Sequence, residues 1–320
     1  MAVYTEIDDD ALIAFMGAYD LGEVLSCKGI AEGIENSNFL VTTTQGPFIL
    51  TLYEKRVNIE DLPFFLGLMD HLAAHGVPCP VPIRTKAGET LRELSYRPAA
   101  LISFLPGMWP KRPNVQHCRH VGEALALFHT AGENFQIKRE NALGVSAWRA
   151  TLDAGVQDVD NIKAGLFKKL TAHLDRLERS WPSDLPTGVI HADLFPDNVF
   201  FRQEHLSGVI DFYFACNDIY AYDIGICLNA WCFEPDLSFN ATKARRLLQG
   251  YQSVRPLEDK EIQALPVLAE GAAMRFLLTR LYDWLNTPKD AFVTPKDPIE
   301  YLKKLEFHYH VKGPESYGLD

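Results

Sequence analysis

Between residues 188 and 212 the chain reads Gly188-Val-Ile-His191-Ala-Asp193-Leu-Phe-Pro-Asp-Asn198-Val-Phe-Phe201 and then, after a polar turn, Val209-Ile-Asp211-Phe212. Two short runs of β-branched and aromatic residues flank an acidic loop that contains a proline, and a third apolar run ends at another aspartate. This punctuation is typical of β-hairpins. The spacing His-x-Asp-x-x-x-x-Asn, followed by apolar-Asp-Phe, therefore predicts a short β-rich segment that concentrates four polar side chains.

The sequence changes in character at the Pro-Gly pair of residues 106 and 107. Before this pair we expect strands near 24–27, 38–43, 48–53, 90–95 and 98–104, and helices near 8–18 and 59–75. After it we expect helices near 115–130, 159–180, 243–252 and 260–285. The pattern predicts an α+β protein of two lobes, in which 1–104 form an antiparallel-sheet N-terminal lobe and 105–320 a mainly helical C-terminal lobe, with a hinge near 103–107.

Composition and charge indicate a globular protein and argue against several classes of binding partner. The chain has 320 residues, of which 47% are hydrophobic and 23% charged, as is typical of a protein with a buried core. Its formal net charge of −11 argues against partners that need a basic face, namely duplex nucleic acid and anionic membranes. We find no signal peptide and no apolar run near the roughly 18 residues that span a bilayer. The six cysteines include no C-x-x-C pair, so we expect reduced thiols in a cytoplasmic protein.

The polar side chains of the 188–212 stretch suit the transfer of a phosphoryl group from ATP to a hydroxyl group. Asp193 is a loop carboxylate that can align the hydroxyl and accept its proton. Asp211 and Asn198 offer the carboxylate and amide oxygens that Mg²⁺ prefers. Because the transition state is loose, the protein mainly has to position groups and stabilise charge. The alternative interpretation is a polar hairpin loop in which His191 is a hydrogen-bonded core residue.

The same spacing is similar to the catalytic loop and metal-binding aspartate of protein kinases. The His-x-Asp variant, with proline before Asp-Asn, resembles the aminoglycoside phosphotransferase and choline kinase superfamily. This resemblance implies a protein-kinase-like fold, ATP and Mg²⁺ as cofactors, Asp193 as catalytic base, and Asn198 and Asp211 as metal ligands. It also implies that His191 orients the loop and that Asp223, placed just before an apolar helix, braces it by hydrogen bonds. A helix N-cap is the alternative for Asp223.

The nucleotide-binding residues are predicted in two segments. Glycines between two strand-like runs let backbone amides approach phosphates, although an ordinary hairpin turn is the alternative. The hinge should present backbone groups to adenine. The predicted nucleotide contacts are Gly29, Gly33, Asn36, Asn38, Lys55, Ser103 and Leu105.

The third strand departs from the superfamily pattern. Thr51 stands where such kinases carry a basic residue that contacts the phosphates. Lys55 lies on the same face of the strand, since side chains alternate along it. Lys28, Lys55 and Arg56 are the alternatives for the missing charge, and Glu60 and Asp61 for its acidic partner.

Over nearly its whole length the chain resembles the homoserine kinases of the aminoglycoside-phosphotransferase-like type. The resemblance lies in residues 29–38, 48–55, the His191 loop and 274–283. It implies phosphorylation of the side-chain hydroxyl of L-homoserine, a step of threonine biosynthesis. A zwitterionic substrate needs a cation for its carboxylate and an acid for its ammonium group, for which we predict Arg275 and Asp218, with Tyr213 beside them.

Two other functions stay open from the sequence. Choline kinases need an aromatic cage, and the chain offers four rings for one: Tyr213, Tyr220, Tyr222 and Trp231. Methylthioribose and aminoglycosides are further small hydroxyl acceptors for the same fold. The rival class is a non-catalytic binding module of the pseudokinase type, which Thr51 favours and the intact Asp193, Asn198 and Asp211 oppose.

Overall fold

The computed structural model describes residues 5–30, 36–54, 57–155, 158–287 and 295–319. The chain divides into two compact units. The first unit comprises Met1–Gly107, Phe135–Ile137 and Ser207–Tyr213, and the second comprises Met108–Asn134, Lys138–Leu206 and Phe214–Asp320. An antiparallel sheet dominates the first unit and helices dominate the second, so the predicted α+β class is confirmed.

The first unit is built on a five-stranded antiparallel sheet. Its elements are α1 (Asp9–Met16), β1 (Val24–Gly29), β2 (Ser37–Thr43), β3 (Gly46–Leu52), α2 (Leu62–Ala74), β4 (Arg92–Leu94) and β5 (Arg97–Ser103). The strands lie in the order β1-β2-β3-β5-β4. Strand β1 pairs antiparallel with β2, and a short turn makes β2 and β3 antiparallel neighbours, as expected for a hairpin connection.

The core of the first unit forms where α1 covers the sheet. Every second residue of β2 is buried, because successive side chains of a strand point to opposite faces. Phe39 and Val41 of this buried set pack with Phe15 and Met16 of α1. Asp8 caps the N-terminus of α1, since its carboxylate accepts hydrogen bonds from the amides of residues 10 and 11.

The second unit contains most of the helices. Its first elements are α3 (Val115–Gly132), α4 (Val145–Ala154), α5 (Val159–Ile162), α6 (Leu166–Ser180), β6 (Thr187–Ile190) and β7 (Val199–Arg202). They are followed by β8 (His205–Val209), of which residues 207–209 belong to the first unit, and then by β9 (Cys216–Ile219), α7 (Tyr220–Trp231), α8 (Ala241–Gln252), α9 (Asp259–Asn286) and α10 (Pro298–His310). Strand β6 pairs antiparallel with β9, and β7 with β8 forms a separate two-stranded sheet.

The structure corrects two helix predictions. The helix expected over 159–180 is two helices, α5 and α6, because Gly165 adopts a left-handed conformation with φ of 75° at the start of α6. Helices α4 and α10 were not predicted. Helix α9 is long and apolar enough by composition to span a membrane, although charged residues interrupt its apolar positions. However, 72% of its most apolar window is buried inside the protein, as in a core helix.

Helices α3 and α8 cross at a contact that only glycine permits. A Cβ atom on Gly122 would lie 2.0 Å from the carbonyl oxygen of Leu247, and one on Gly250 would lie 2.1 Å from that of Arg119. The two backbones therefore approach more closely than side chains would allow. This crossing sets Tyr251 of α8 against His129 of α3.

Candidate active site

The loop between β6 and β7 carries the His-x-Asp-x-x-x-x-Asn residues. It leaves the sheet at Ile190 and closes in a 3₁₀ turn at Pro196–Asn198. The amide of Phe195 donates to the carbonyl of Asp193 (2.8 Å), and the amide of Asn198 donates to the carbonyl of Phe195 (3.0 Å). These local hydrogen bonds explain why the motif folds as a compact turn.

Asp223 holds the beginning of this loop. One carboxylate oxygen accepts the amide of His191 (2.7 Å) and the other accepts the amide of Ala192 (3.0 Å). Ala192 adopts a left-handed φ of 62°, a conformation that costs a non-glycine residue free energy and needs support from its surroundings. Asp223 lies inside the first turn of α7, rather than before the helix as predicted, and it is fully buried.

Asn198 orients Asp193, the predicted catalytic base. Its side-chain nitrogen donates to the carbonyl of Asp193 (2.9 Å) and to the Asp193 carboxylate (3.2 Å). The nitrogen is thus used twice, which leaves Oδ1 as the amide's acceptor atom. The ring of His191 is fully buried, and its Nδ1 accepts the amide of Asp193 (3.3 Å). His191, Asp193 and Asn198 therefore form one local cluster.

Asp211 belongs to the first unit and has a left-handed φ of 67°. Two residues later, Tyr213 packs edge-on against Tyr53 and Phe65, at centroid distances of 5.7 and 5.5 Å. The pKa of Tyr213 is raised well above its usual value. Burial is the largest cause, and the neighbouring Tyr53 and Asp211 raise it further. The Tyr213 phenol is therefore neutral and part of an aromatic cluster.

Three of the predicted nucleotide residues, Gly29, Asn36 and Asn38, have partners in or beside the sheet. Asn38 accepts the hydroxyl of Thr51 across the β2–β3 pair (2.8 Å), so the residue at the expected basic position is a buried structural threonine. Asn36 is also buried and accepts the amide of Glu54 (3.3 Å). Gly29 pairs with Phe39 at the end of β1. Gly33, Lys55 and Arg56 lie outside the described residues.

The two hinge residues also lie in the first unit. Ser103 ends β5, and its backbone and side chain both pair with Val81: the Ser103 amide donates to the Val81 carbonyl, and the Ser103 hydroxyl accepts the Val81 amide, each at 2.9 Å. The side chain of Leu105 fills the space above Gly208, where an added Cβ would lie 2.5 Å from it. Both contacts order the backbone of this segment.

Arg275 contacts the loop between β6 and β7. It is 4% exposed, and one terminal nitrogen donates a short hydrogen bond to the carbonyl of Ala192. Its guanidinium lies 4.2 Å from the ring of Phe276 and 5.4 Å from that of Phe214, while Nε has no protein partner among the described residues. Arg280, by contrast, is bound to Glu300 (2.6 Å).

Asp218 is held at the end of β9. It accepts the side-chain amide of Asn141 (2.6 Å) and the backbone amide of Ile219 (2.7 Å). Burial raises the pKa of Asp218 in spite of these two hydrogen bonds. The carboxylate is therefore oriented by neutral donors and retains acceptor capacity for a cationic group.

The aromatic rings proposed for a choline cage are used elsewhere. Tyr220 packs on His129 (4.7 Å) and Tyr222 on Trp181 (5.5 Å), and both are buried. The indole nitrogen of Trp231 donates to the carbonyl of Leu194 (2.7 Å). Each ring therefore contacts a different group of the protein, and this arrangement argues against an aromatic cage for choline.

Sequence reasoning missed His129, which donates to Asp223 at 3.1 Å. His129 follows Val121 and Leu125 at four-residue spacing, so its place on the buried face of α3 was visible in the sequence. A buried histidine needs hydrogen-bond partners, and this requirement was the signal that could have identified it.

Comparison with known proteins places the chain in a family. Residues 26–257 match the model of the APH phosphotransferase enzyme family. The chain is 60% identical over 319 residues to the homoserine kinase of Rhodospirillum rubrum, covering 100% of this chain and 99% of the relative. It is 62% identical over 320 residues to that of Bradyrhizobium diazoefficiens, covering 100% and 98%.

Solved structures show the fold. An amicoumacin kinase superposes with a TM-score of 0.71 at 16% identity, covering 96% of this chain and 95% of the other. A spectinomycin phosphotransferase superposes with a TM-score of 0.68 at 12% identity, covering 98% of both. The predicted kinase-like fold is thereby confirmed. The chain therefore belongs to the APH phosphotransferase enzyme family and, within it, to the family of the homoserine kinases.

Proposed function

We propose that the chain transfers the terminal phosphoryl group of ATP to the side-chain hydroxyl of L-homoserine and forms O-phospho-L-homoserine, a step of threonine biosynthesis. The observation that carries the proposal is 60% identity to homoserine kinases over the whole length of the chain. The intact cluster of His191, Asp193 and Asn198 supports a catalytic rather than a purely binding role.

Asp193 is the proposed catalytic base. Its carboxylate is partly exposed at the loop, and Asn198 fixes it by donating to one oxygen. A carboxylate held in this way can align an acceptor hydroxyl and take its proton as the phosphoryl group transfers. The backbone on its N-terminal side is held by Asp223 and Arg275, so positioning extends beyond the reacting group.

Mg²⁺ is the proposed metal, with Asn198 and Asp211 as its protein ligands. The chemistry of the donors fits, since both offer oxygen and the Asn198 nitrogen is already used by Asp193. Bound Mg²⁺ would neutralise charge on the phosphates. Among the described residues no group of three His, Cys, Asp or Glu side chains is arranged as a metal site, which is compatible with a metal that takes its other ligands from water and phosphate.

Recognition of the amino acid is assigned to Arg275 and Asp218. Nε of Arg275 is a buried donor that has no partner in the part of the chain that the structure describes, which suits the carboxylate of the acceptor. Asp218 would receive the ammonium group. Tyr213, which was predicted beside them, packs in the aromatic cluster of the first unit, and its role toward the acceptor stays a prediction, as does a cytoplasmic location.

The proposal is tested by measuring ADP release with L-homoserine, choline, methylthioribose and an aminoglycoside in parallel. We expect homoserine to be the best acceptor, and phosphohomoserine to be identified as the product by mass spectrometry. Better turnover of choline would contradict the substrate assignment. Absence of turnover with every acceptor, together with intact ATP binding, would support the binding-module alternative.

A further inference from the structure

We propose that His129 is a positioning residue for the catalytic loop, acting at the end of a buried hydrogen-bond chain that runs Arg255–Tyr251–His129–Asp223 and ends on the amides of His191 and Ala192. The inference rests on the proposed function only for its kinetic test. All these residues belong to the second unit, on α3, α7, α8 and the segments that follow β6 and α8.

The donor and acceptor roles along this chain have one consistent assignment. Arg255 can only donate, and it donates to the hydroxyl oxygen of Tyr251 (3.3 Å). The Tyr251 hydroxyl then donates to Nδ1 of His129 (2.8 Å), which leaves the proton of the ring on Nε2. Nε2 donates to Asp223 (3.1 Å), which as a carboxylate can only accept.

His129 is neutral in this arrangement. Burial lowers the pKa of His129, in spite of the nearby Asp223 that acts to raise it. A neutral imidazole has one donor and one acceptor nitrogen, so Tyr251 selects the tautomer that donates to Asp223. Arg255 is itself fixed by an ion pair with the buried Glu261 (3.0 Å).

The hydrogen-bond chain stabilises the buried carboxylate of Asp223. Asp223 is fully buried, and a buried carboxylate is costly unless it is hydrogen-bonded. Its three described donors are the amides of His191 and Ala192 and the ring of His129. One oxygen, Oδ2, is shared by His129 and the His191 amide, so loss of the imidazole would free Asp223 to rotate away from the loop.

Two variants at His129 test the role. His129→Leu removes both hydrogen bonds, and we expect kcat to fall about 10- to 100-fold, since a misplacement of about 1 Å at a catalytic group costs about 10²-fold. The KM for ATP should change little. His129→Gln keeps one donor and one acceptor and should recover part of kcat. Tyr251→Phe removes the group that selects the tautomer and should give an intermediate loss.

A second buried histidine–tyrosine pair, His308 and Tyr317, provides a matched control. His308 is also buried and pairs through Nδ1 with the hydroxyl of Tyr317 at the same distance, 2.8 Å. His308→Leu and Tyr317→Phe should lower thermal stability as much as the variants at His129 and Tyr251, but leave kcat unchanged. An equal fall of kcat in both pairs would show that His129 acts through general stability, and would overturn the proposal.

Two further measurements separate positioning from chemistry. In an Asp223→Asn background, His129→Leu should cost much less than in the wild type, because both changes disrupt the same contact. Hydrogen exchange of the amides at 191 and 192 should accelerate in His129→Leu and not in His308→Leu. Unchanged exchange, or full additivity of the two substitutions, would refute the role. Exchange needs no substrate, so it tests the loop even if the wild type fails to phosphorylate homoserine and the proposed function falls.

Discussion

Asp193 is the residue whose chemistry is most directly testable. Asp193→Asn keeps the size of the side chain and removes its basicity, so kcat should fall by about 10²-fold or more, the usual contribution of a general base. ATP binding, measured by calorimetry, should survive. Near-normal turnover in this variant would show that another group takes the proton.

Arg275 has two candidate roles at the residue scale: binding the substrate carboxylate and holding the carbonyl of Ala192. Loss of a charge-assisted hydrogen bond of about 1.5–3 kcal/mol predicts that Arg275→Ala lowers kcat/KM for homoserine by about 10- to 150-fold. Homoserinol lacks the carboxylate and is the matched substrate. A much smaller loss with homoserinol supports carboxylate binding, whereas equal losses would show that Arg275 only positions the loop. Arg280→Ala, at the Glu300 ion pair, is the control variant and should keep the preference for homoserine.

At the scale of the elements, the crossing of α3 and α8 brings Tyr251 to His129 and so supports the proposed positioning of the loop. Gly250→Ala would place a methyl group 2.1 Å from a backbone oxygen, and overpacking of this kind costs about 1–3 kcal/mol. Gly17 is a suitable control, because its backbone is already α-helical and an added Cβ would make an ordinary 3.4 Å contact. Urea unfolding should show Gly250→Ala to be destabilised and Gly17→Ala to be neutral or slightly more stable. Similar stability of the two variants would mean that the crossing tolerates a methyl group.

Element boundaries show where sequence periodicity is informative. The long apolar repeats predicted α3, α8 and α9 closely, because one buried helix face leaves a regular pattern. The break between α5 and α6 was missed, since a single left-handed glycine leaves the pattern on both sides intact.

At the scale of the whole molecule, buried neutral histidines make stability depend on pH. Burial, with Lys304, lowers the pKa of His308 to about 3, and burial, with Arg176 and Lys169, lowers that of His173 to about 4. Below the ordinary value of about 6.5 the unfolded chain therefore binds more protons than the folded one, and stability falls as the pH falls.

The free energy of unfolding should decrease between pH 7 and pH 5, with His308 alone contributing a slope of up to about 1.4 kcal/mol per pH unit below about pH 6.5. Urea titrations across this range measure the slope. His308→Gln should flatten it, whereas the exposed His310→Gln should keep the wild-type slope. A wild-type slope in His308→Gln would show that this histidine is not the source.

The local sequence pattern was enough to predict the antiparallel sheet, the helical second unit and the compact turn that holds residues 191–198. His191, Asp193 and Asn198 lie within eight positions of one another, so turn chemistry alone brings their side chains together. The partners of that loop come from distant positions: Arg275 is 83 residues from Ala192, and His129 is 94 residues from Asp223. Periodicity indicates that a helical side chain is buried, but the group it meets depends on how helices cross, and here two glycines on α3 and α8 permit the approach that joins His129 to Tyr251.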